Sequence, residues 1–329
     1  MTRGFILGKF MPVHTGHLFL IEAANKLVDQ LTVLVCTRDC EPINGDLRYQ
    51  WVQSSVEKSI RVLHLHRDIP QEPADHPDFW AIWQTTINTL HPESIDVVFG
   101  SEAYINTLAE VLLAAPIIID LERESVPVSA TAIRQSSTKN WEFLPKAVRP
   151  YYQKKISILG AESTGKTTLC TLLAKHYNTK CIPEYGRTYD ASVREGENWK
   201  ADDFVTLART HRAIADTIVG SSGPVVFEDT DLLQTVVWAE YLLGAVPKEL
   251  EALLIEWRPA AHYFLLASNV EWIDDGTRYS GNIDTRKWFF DQLMSLLIRY
   301  QCDFSVIDNT TWNERFISVK RQLELMGNS

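Results

Sequence analysis

Short apolar runs rich in β-branched and aromatic residues alternate with stretches of helical period along the whole chain. In the first half the runs Gly4–Leu7, Leu31–Cys36, Arg61–His66, Asp96–Phe99 and Pro116–Asp120 predict strands. Between them, Leu18–Val28, Tyr49–Lys58, Trp80–Leu90 and Tyr104–Leu113 carry the apolar spacing of helices packed by one face. Apolar strands separated by helices predict a parallel sheet covered on both sides. The pattern breaks over 135–155, where two prolines and a polar run lack any sustained period. A second series then opens with Ile156–Leu159 and continues through Pro224–Phe227, His262–Leu266 and Phe304–Ile307, with helices at Ala201–Val219 and Arg286–Tyr300. The expectation is two α/β domains, 1–140 and 155–329, joined by a linker over 141–154.

The junctions between strands and helices carry the chemistry. Residues 8–17, GKFMPVHTGH, leave the first strand and enter a helix. Gly8 lets a nucleotide approach the backbone, and the loop through Phe10 to Gly16 presents free N–H groups at a helix N-terminus. His14 and His17, three apart, can face one pocket and donate to a phosphorane-like transition state, with Lys9 as a fixed cation beside them. A second piece, VSATAIR, begins another helix with Ser129 as its cap. From there Thr131 and Arg134, with Ser129, can converge on the phosphates of ATP.

The second series contains GAESTGKT at 160–167, the spacing G-x-x-x-x-G-K-[ST] of a phosphate-binding loop, placed between a strand and a helix. Here Gly160, Glu162, Ser163, Thr164, Gly165 and Thr168 supply backbone to cradle phosphates. Lys166 reaches the terminal phosphates and Thr167 ligates Mg²⁺. The run VVFEDTD ends an apolar strand in carboxylates, which places Asp229 at the metal and the nucleophilic hydroxyl and Asp231 near the substrate. PEYGRTY offers Glu184, Tyr185 and Arg187 at another strand end. The polar segment WIDDGTRYSGNIDTR carries Arg278 and Arg286 in a lid-like loop before a long helix. No N-K-x-D string for guanine recognition is present.

Composition narrows the partners. The chain has 329 residues and a formal charge of −10, which disfavours a broad nucleic-acid surface. No apolar run approaches the roughly 20 residues that cross a bilayer, so neither membrane nor nucleic acid is expected as a partner. Five scattered cysteines read as reduced thiols and the chain as cytoplasmic; a homo-oligomer is left open.

GKFMPVHTGH with SATAIR resembles the H-x-G-H nucleotidyltransferases. In order along the chain, that domain, VVFGSEAY, SATAIR, GAESTGKTTL, PEYGR, EDTD and WIDDGTR resemble the bifunctional nicotinamide-mononucleotide adenylyltransferase/ribosylnicotinamide kinase family of NadR type. The resemblance implies an N-terminal Rossmann-like domain that adenylylates NMN to NAD⁺ and a C-terminal P-loop domain that phosphorylates nicotinamide riboside to NMN. Both use ATP, with Mg²⁺. Nicotinamide itself comes only from the resemblance. Some family members carry an N-terminal helix-turn-helix; here the first strand begins at about residue 4, and with the acidic charge no repressor role is expected. Trp80 and Trp83 suit either a helix packed on the sheet or a stacking face for a cationic ring. Two alternatives stay open: a different nucleotidyltransferase fused to another small-molecule kinase, and a nucleotide-sensing regulator.

Overall fold

The computed structural model describes residues 1–196, 198–272 and 282–327. The chain divides into two compact units, Met1–Tyr152 and Gln153–Ser329.

The first unit is a five-stranded parallel sheet of β1 (Arg3–Gly8), β2 (Gln30–Thr37), β3 (Arg61–His66), β4 (Val97–Gly100) and β5 (Ala115–Ile118), in the order β3-β2-β1-β4-β5. β1 and β2 are buried on both faces, which their near-continuous apolar runs require. One core joins Ile6, Val33 and Val35 to Leu20 and Ile21 of the helix Thr15–Asn25 and to Trp51. On the other face Phe5, Leu34 and Val98 pack with Trp83, Ile87 and Leu108 from the helices Phe79–Leu90 and Ile105–Leu112.

The second unit repeats the layering with β6 (Lys154–Gly160), β7 (Cys181–Ile182), β8 (Val225–Asp229), β9 (His262–Leu266) and β10 (Phe304–Ile307), ordered β10-β9-β6-β8-β7 and all parallel. In each unit the chain leaves the first strand one way and later returns to its other side. That reversal lies beside β1 in one unit and β6 in the other, where open parallel sheets hold ligands at the carboxyl ends of their strands. Both glycine-bearing loops emerge there.

Two expectations change. Most of the segment expected as linker belongs to the first unit: Trp141–Phe143 form a 3₁₀ turn, and Leu144 and Val148 are buried in its core. Its prolines, one just past the 3₁₀ turn and one in the first turn of the helix Arg149–Tyr152, do not free the chain. The cysteines are not all thiols either. Cys170, on the helix Lys166–His176, and Cys181, on β7, form a disulfide with Cα atoms 6.2 Å apart; Cys36, Cys40 and Cys302 are free. The pairing was not readable from cysteine spacing, because it depends on a two-residue strand passing beside the helix.

Candidate active sites

In the first unit β1 ends at Gly8, and the loop turns through Phe10, whose φ is +46°, into the helix that follows His14. The backbone N–H of His14 donates to Nδ1 of His17 at 3.3 Å. That contact fixes the His17 tautomer: Nδ1 accepts, so Nε2 carries the proton. The two imidazoles stack with centroids 3.7 Å apart, and Phe10 meets His17 edge-on at 4.9 Å. Gly16 leaves room for this packing, since a Cβ there would meet the His14 ring at 3.1 Å and push on it. Burial lowers His14 to about 4, helped by the positive charge of Arg123. Burial, then His14, then Arg123 hold His17 well below the usual imidazole range. Both rings are therefore neutral hydrogen-bond donors at neutral pH.

Ser129 caps the helix Ala130–Gln135 by accepting from the Ala132 N–H at 3.1 Å. Arg134 ties the two loops together: it donates to the Met11 carbonyl at 2.5 Å and to Thr131 Oγ1 at 3.0 Å. Gly8, Lys9, Phe10, His17, Thr131 and Arg134 come together around a cavity of about 460 Å³. His14, Gly16 and Ser129 are not among its lining residues. Trp80 and Trp83 reach the far wall, where Trp83 donates Nε1–H to the Pro70 carbonyl at 3.0 Å. Beneath the loop, fully buried Arg48 donates to the Lys9 carbonyl at 2.9 Å and pairs with Glu41. Arg123, on the loop after β5, was not a sequence candidate. Its charge is felt at both histidines, and it stands 3.7 Å from Glu102.

In the second unit the loop after β6 is held from within. Thr164 Oγ1 and Lys166 Nζ both donate to the Ala161 carbonyl, at 2.8 and 3.0 Å. Gly160 and Gly165 take φ of +152° and +82°, and a Cβ on Gly165 would sit 1.9 Å from the Trp312 ring. Thr167 donates to Asp229 Oδ2 at 2.5 Å. Asp229 is raised to about 6, first by burial and then by Glu184; its other oxygen is buried without a partner among the described residues. A metal ion or its water shell beside Thr167 would satisfy that oxygen, so these residues fit Mg²⁺.

A cleft of about 260 Å³ runs from Glu162, Lys166, Glu184 and Arg187 to an aromatic end. Glu184 accepts from Arg187 at 3.2 Å. Tyr185 lines the wall, while Trp199, Phe204 and Trp238, absent from the sequence reading, form the far end. Trp199 stacks on Phe204 at 4.9 Å. The other expectations divide. Asp231 is turned away from the cleft: it caps the helix Leu232–Leu243 and accepts from Tyr263 at 2.8 Å. Because side chains alternate along a strand, Glu228 points away from Asp229, toward Lys155 at 2.9 Å and His211 at 3.2 Å. Arg286 is buried and donates to the Val270 carbonyl at 3.1 Å. Arg278 lies outside the described residues, and Thr168 is exposed on the helix.

Residues 5–139 match the cytidylyltransferase-like family, and residues 155–315 match the AAA domain. The chain is 30% identical to the trifunctional NAD biosynthesis/regulator protein NadR of Escherichia coli, covering 99% of this chain and 84% of that protein. It belongs to the NadR family. The NadR protein of Salmonella typhimurium is likewise 30% identical, over 98% of this chain and 83% of its own length. The first unit alone is similar to the nicotinamide-nucleotide adenylyltransferase of Thermococcus onnurineus, 28% identical over 46% of this chain and 82% of that protein. The fold agrees with a NadR structure solved in complex with NR, with a TM-score of 0.81 and 23% identity, covering 100% of this chain and 96% of that one.

Proposed function

We propose that this member of the NadR family makes NAD⁺ in two consecutive steps, the second unit phosphorylating nicotinamide riboside and the first adenylylating the NMN formed. The observation that carries this is the pairing of two phosphate sites of different chemistry on one chain that aligns with NadR proteins over nearly its full length.

In the first unit the NMN phosphate is already anionic at neutral pH, so no strong base is needed. One of its oxygens attacks the α-phosphorus of ATP, the bond to the bridging oxygen breaks, and pyrophosphate leaves. His17 Nε2–H and neutral His14 donate to the charge that builds on phosphorus, while Lys9, Thr131 and Arg134 hold the departing phosphates.

In the second unit the riboside 5′-hydroxyl attacks the γ-phosphorus of ATP, its proton goes to a carboxylate, and ADP leaves. Asp229 was the expected acceptor. Its bond to Thr167 and its orphaned oxygen support a place at the metal, and Glu184, open to the cleft, supports the part of proton acceptor. Bound Mg²⁺ neutralises phosphate charge. The chain's own residues do the positioning: Lys166 gives up the Ala161 carbonyl for the terminal phosphates, and the aromatic end takes the flat base.

Incubation with nicotinamide riboside, ATP and Mg²⁺, followed by chromatography, tests both steps. Lys166→Ala abolishes NMN formation and leaves the conversion of supplied NMN to NAD⁺, and His17→Ala does the reverse. Neither product above these controls overturns the reading.

A further inference from the structure

The bridge between Cys170 and Cys181 joins two segments that both reach the cleft of the second unit. Cys170 lies one helical turn past Lys166, 0% exposed in the core with Leu169 and Leu173. Cys181 begins β7, and Ile182 and Pro183 lead from it to Glu184, where the helix Tyr185–Ser192 starts. The helix that carries Lys166 and the cleft wall of Glu184, Tyr185 and Arg187 are therefore tied by one covalent bond, with Cα atoms 6.2 Å apart. β7 is a two-residue edge strand, paired with β8 at Cys181–Phe227 and Ile182–Glu228 and packed by Ile182 against Ala215 and Val226. So short an edge belongs to the least stable part of a sheet. Upstream the chain is anchored: Thr179 donates its N–H to the Ala174 carbonyl at 2.9 Å and its hydroxyl to the Val225 carbonyl at 2.6 Å. Slack from an opened bridge thus falls downstream, toward Glu184. The two sulfurs also differ in access, since Cys170 is sealed in the core and Cys181 is half-buried.

We propose that Cys170 and Cys181 form a reversible redox site that governs the kinase: with the disulfide closed Glu184 is held at the phosphate loop, and with it open riboside phosphorylation falls. The inference rests on the kinase reading above. The reactant is a low-molecular-weight disulfide, and exchange enters at the accessible sulfur. Cys181 attacks one sulfur of the reactant, whose S–S bond breaks and releases one thiol. Cys170 then attacks Cys181 in the mixed disulfide, and the second thiol leaves. Two protein thiols lose two electrons and two protons, and the reactant takes them up as two thiols. A small thiol attacking Cys181 reverses the sequence, with Cys170 as the first leaving group. Phosphoryl transfer depends on narrow positioning, so a loosened Glu184 lowers the rate without emptying the site. Both cysteines lie in the second unit, so adenylylation by the first serves as the internal control.

The test equilibrates the full chain with oxidised glutathione or with dithiothreitol. Alkylation by N-ethylmaleimide and peptide mapping then read the state of each cysteine. In the oxidised protein Cys170 and Cys181 are joined, and kcat for nicotinamide riboside exceeds that of the reduced protein by ~10- to 100-fold, up to the cost of displacing a reacting group by about 1 Å. Conversion of supplied NMN is equal in both states. Cys181→Ser and the double variant Cys170→Ala/Cys181→Ala sit at the reduced level and ignore the oxidant, whereas Cys40→Ser/Cys302→Ser keeps the response. Hydrogen exchange over 181–192 is faster in the reduced protein, while the helix Lys166–His176 is unchanged, which separates a local release from unfolding. The proposal is overturned if the pair stays unbridged in oxidised glutathione, if the two states phosphorylate equally, or if Cys181→Ser still responds. Absence of riboside turnover in both states would refute the kinase reading instead, and equal exchange over 181–192 would then still refute the switch.

Discussion

Arg315 donates from Nη1 to the carbonyl of Thr164 at 2.7 Å, joining the last helix to the phosphate loop across 151 positions of sequence. The same guanidinium reaches the Asn309 carbonyl at 2.7 Å, the Ala267 carbonyl at 2.9 Å and Asn269 Oδ1 at 2.7 Å. It is 1% exposed and stands 5.8 Å from the Trp312 ring, which itself closes on Gly165. One planar cation thus fixes the loop, the end of β9 and the start of the helix Trp312–Gly327.

Arg315→Ala leaves several buried carbonyls unpaired at about 1–3 kcal/mol each. The expected outcome is a drop of several degrees in the Tm of the second unit and loss of riboside phosphorylation, with adenylylation of supplied NMN retained. Arg315→Lys does not rescue, because an ammonium cannot span the same acceptors. Differential scanning calorimetry with both activity assays reads this.

Gly165→Ala meets two obstacles, the positive φ and the Trp312 ring 1.9 Å from the new methyl. Pairing it with Trp312→Ala removes the second obstacle and leaves the first. The single variant therefore loses riboside phosphorylation by at least about 100-fold, and the double variant recovers only part of it in steady-state kinetics.

Asp229 gives a pH prediction whose sign is opposite to that of a salt-bridged carboxylate. Its pKa in the folded chain is raised to about 6 from 3.8, so between those values the folded state holds the extra proton, and this group's contribution to stability falls as pH rises. Without Mg²⁺, Asp229→Asn stabilises the second unit at pH 7 by on the order of 1–3 kcal/mol, the gain shrinking toward pH 4. Urea unfolding across that range measures it. The same variant cuts phosphorylation by about 100-fold or more, so the ionised group is kept for the reaction at a cost to the fold.

His14 and His17 run the other way. With His14 lowered to about 4 and His17 also depressed, their contribution to stability is present above pH 6.5 and is lost as pH falls toward 4. The triphosphate of ATP favours their protonated forms. Binding of ATP to the first unit is therefore accompanied by proton uptake below pH 6, seen as a dependence of calorimetric enthalpy on buffer ionisation; no uptake there would show that the rings do not meet the phosphates.

Sequence made both phosphate loops legible because each is local: glycine, histidine or lysine at fixed spacing between a strand and a helix. Seven residues that line or support the two sites escaped it. Trp199, Phe204, His211, Gln234, Trp238, Arg123 and Arg315 meet their partners only after packing, and none carries a spacing signal. Asp231 misled for the same reason. A carboxylate two positions past Asp229 looks equivalent to it in the run EDTD, yet it was taken up as a helix cap, a role its position just before Leu232 does support. The linker failed differently, since prolines mark helix boundaries and say little about whether the intervening residues are buried.

The adjacent carboxylates of β8 make one demand on inheritance. Glu228 faces Lys155 and His211, whereas Asp229 faces Thr167 and, in the function proposed, serves the reaction. Only their parity on the strand separates the two duties, because the register Ser157 to Glu228 and Ile158 to Asp229 is set by β6. A single inserted codon before this pair, with the strand otherwise re-paired, would bring Glu228 to the phosphate loop, and a single deleted one would set Asp229 beside the lysine. By this geometry a change in the length of the strand disturbs the site more than a change in a side chain beside it.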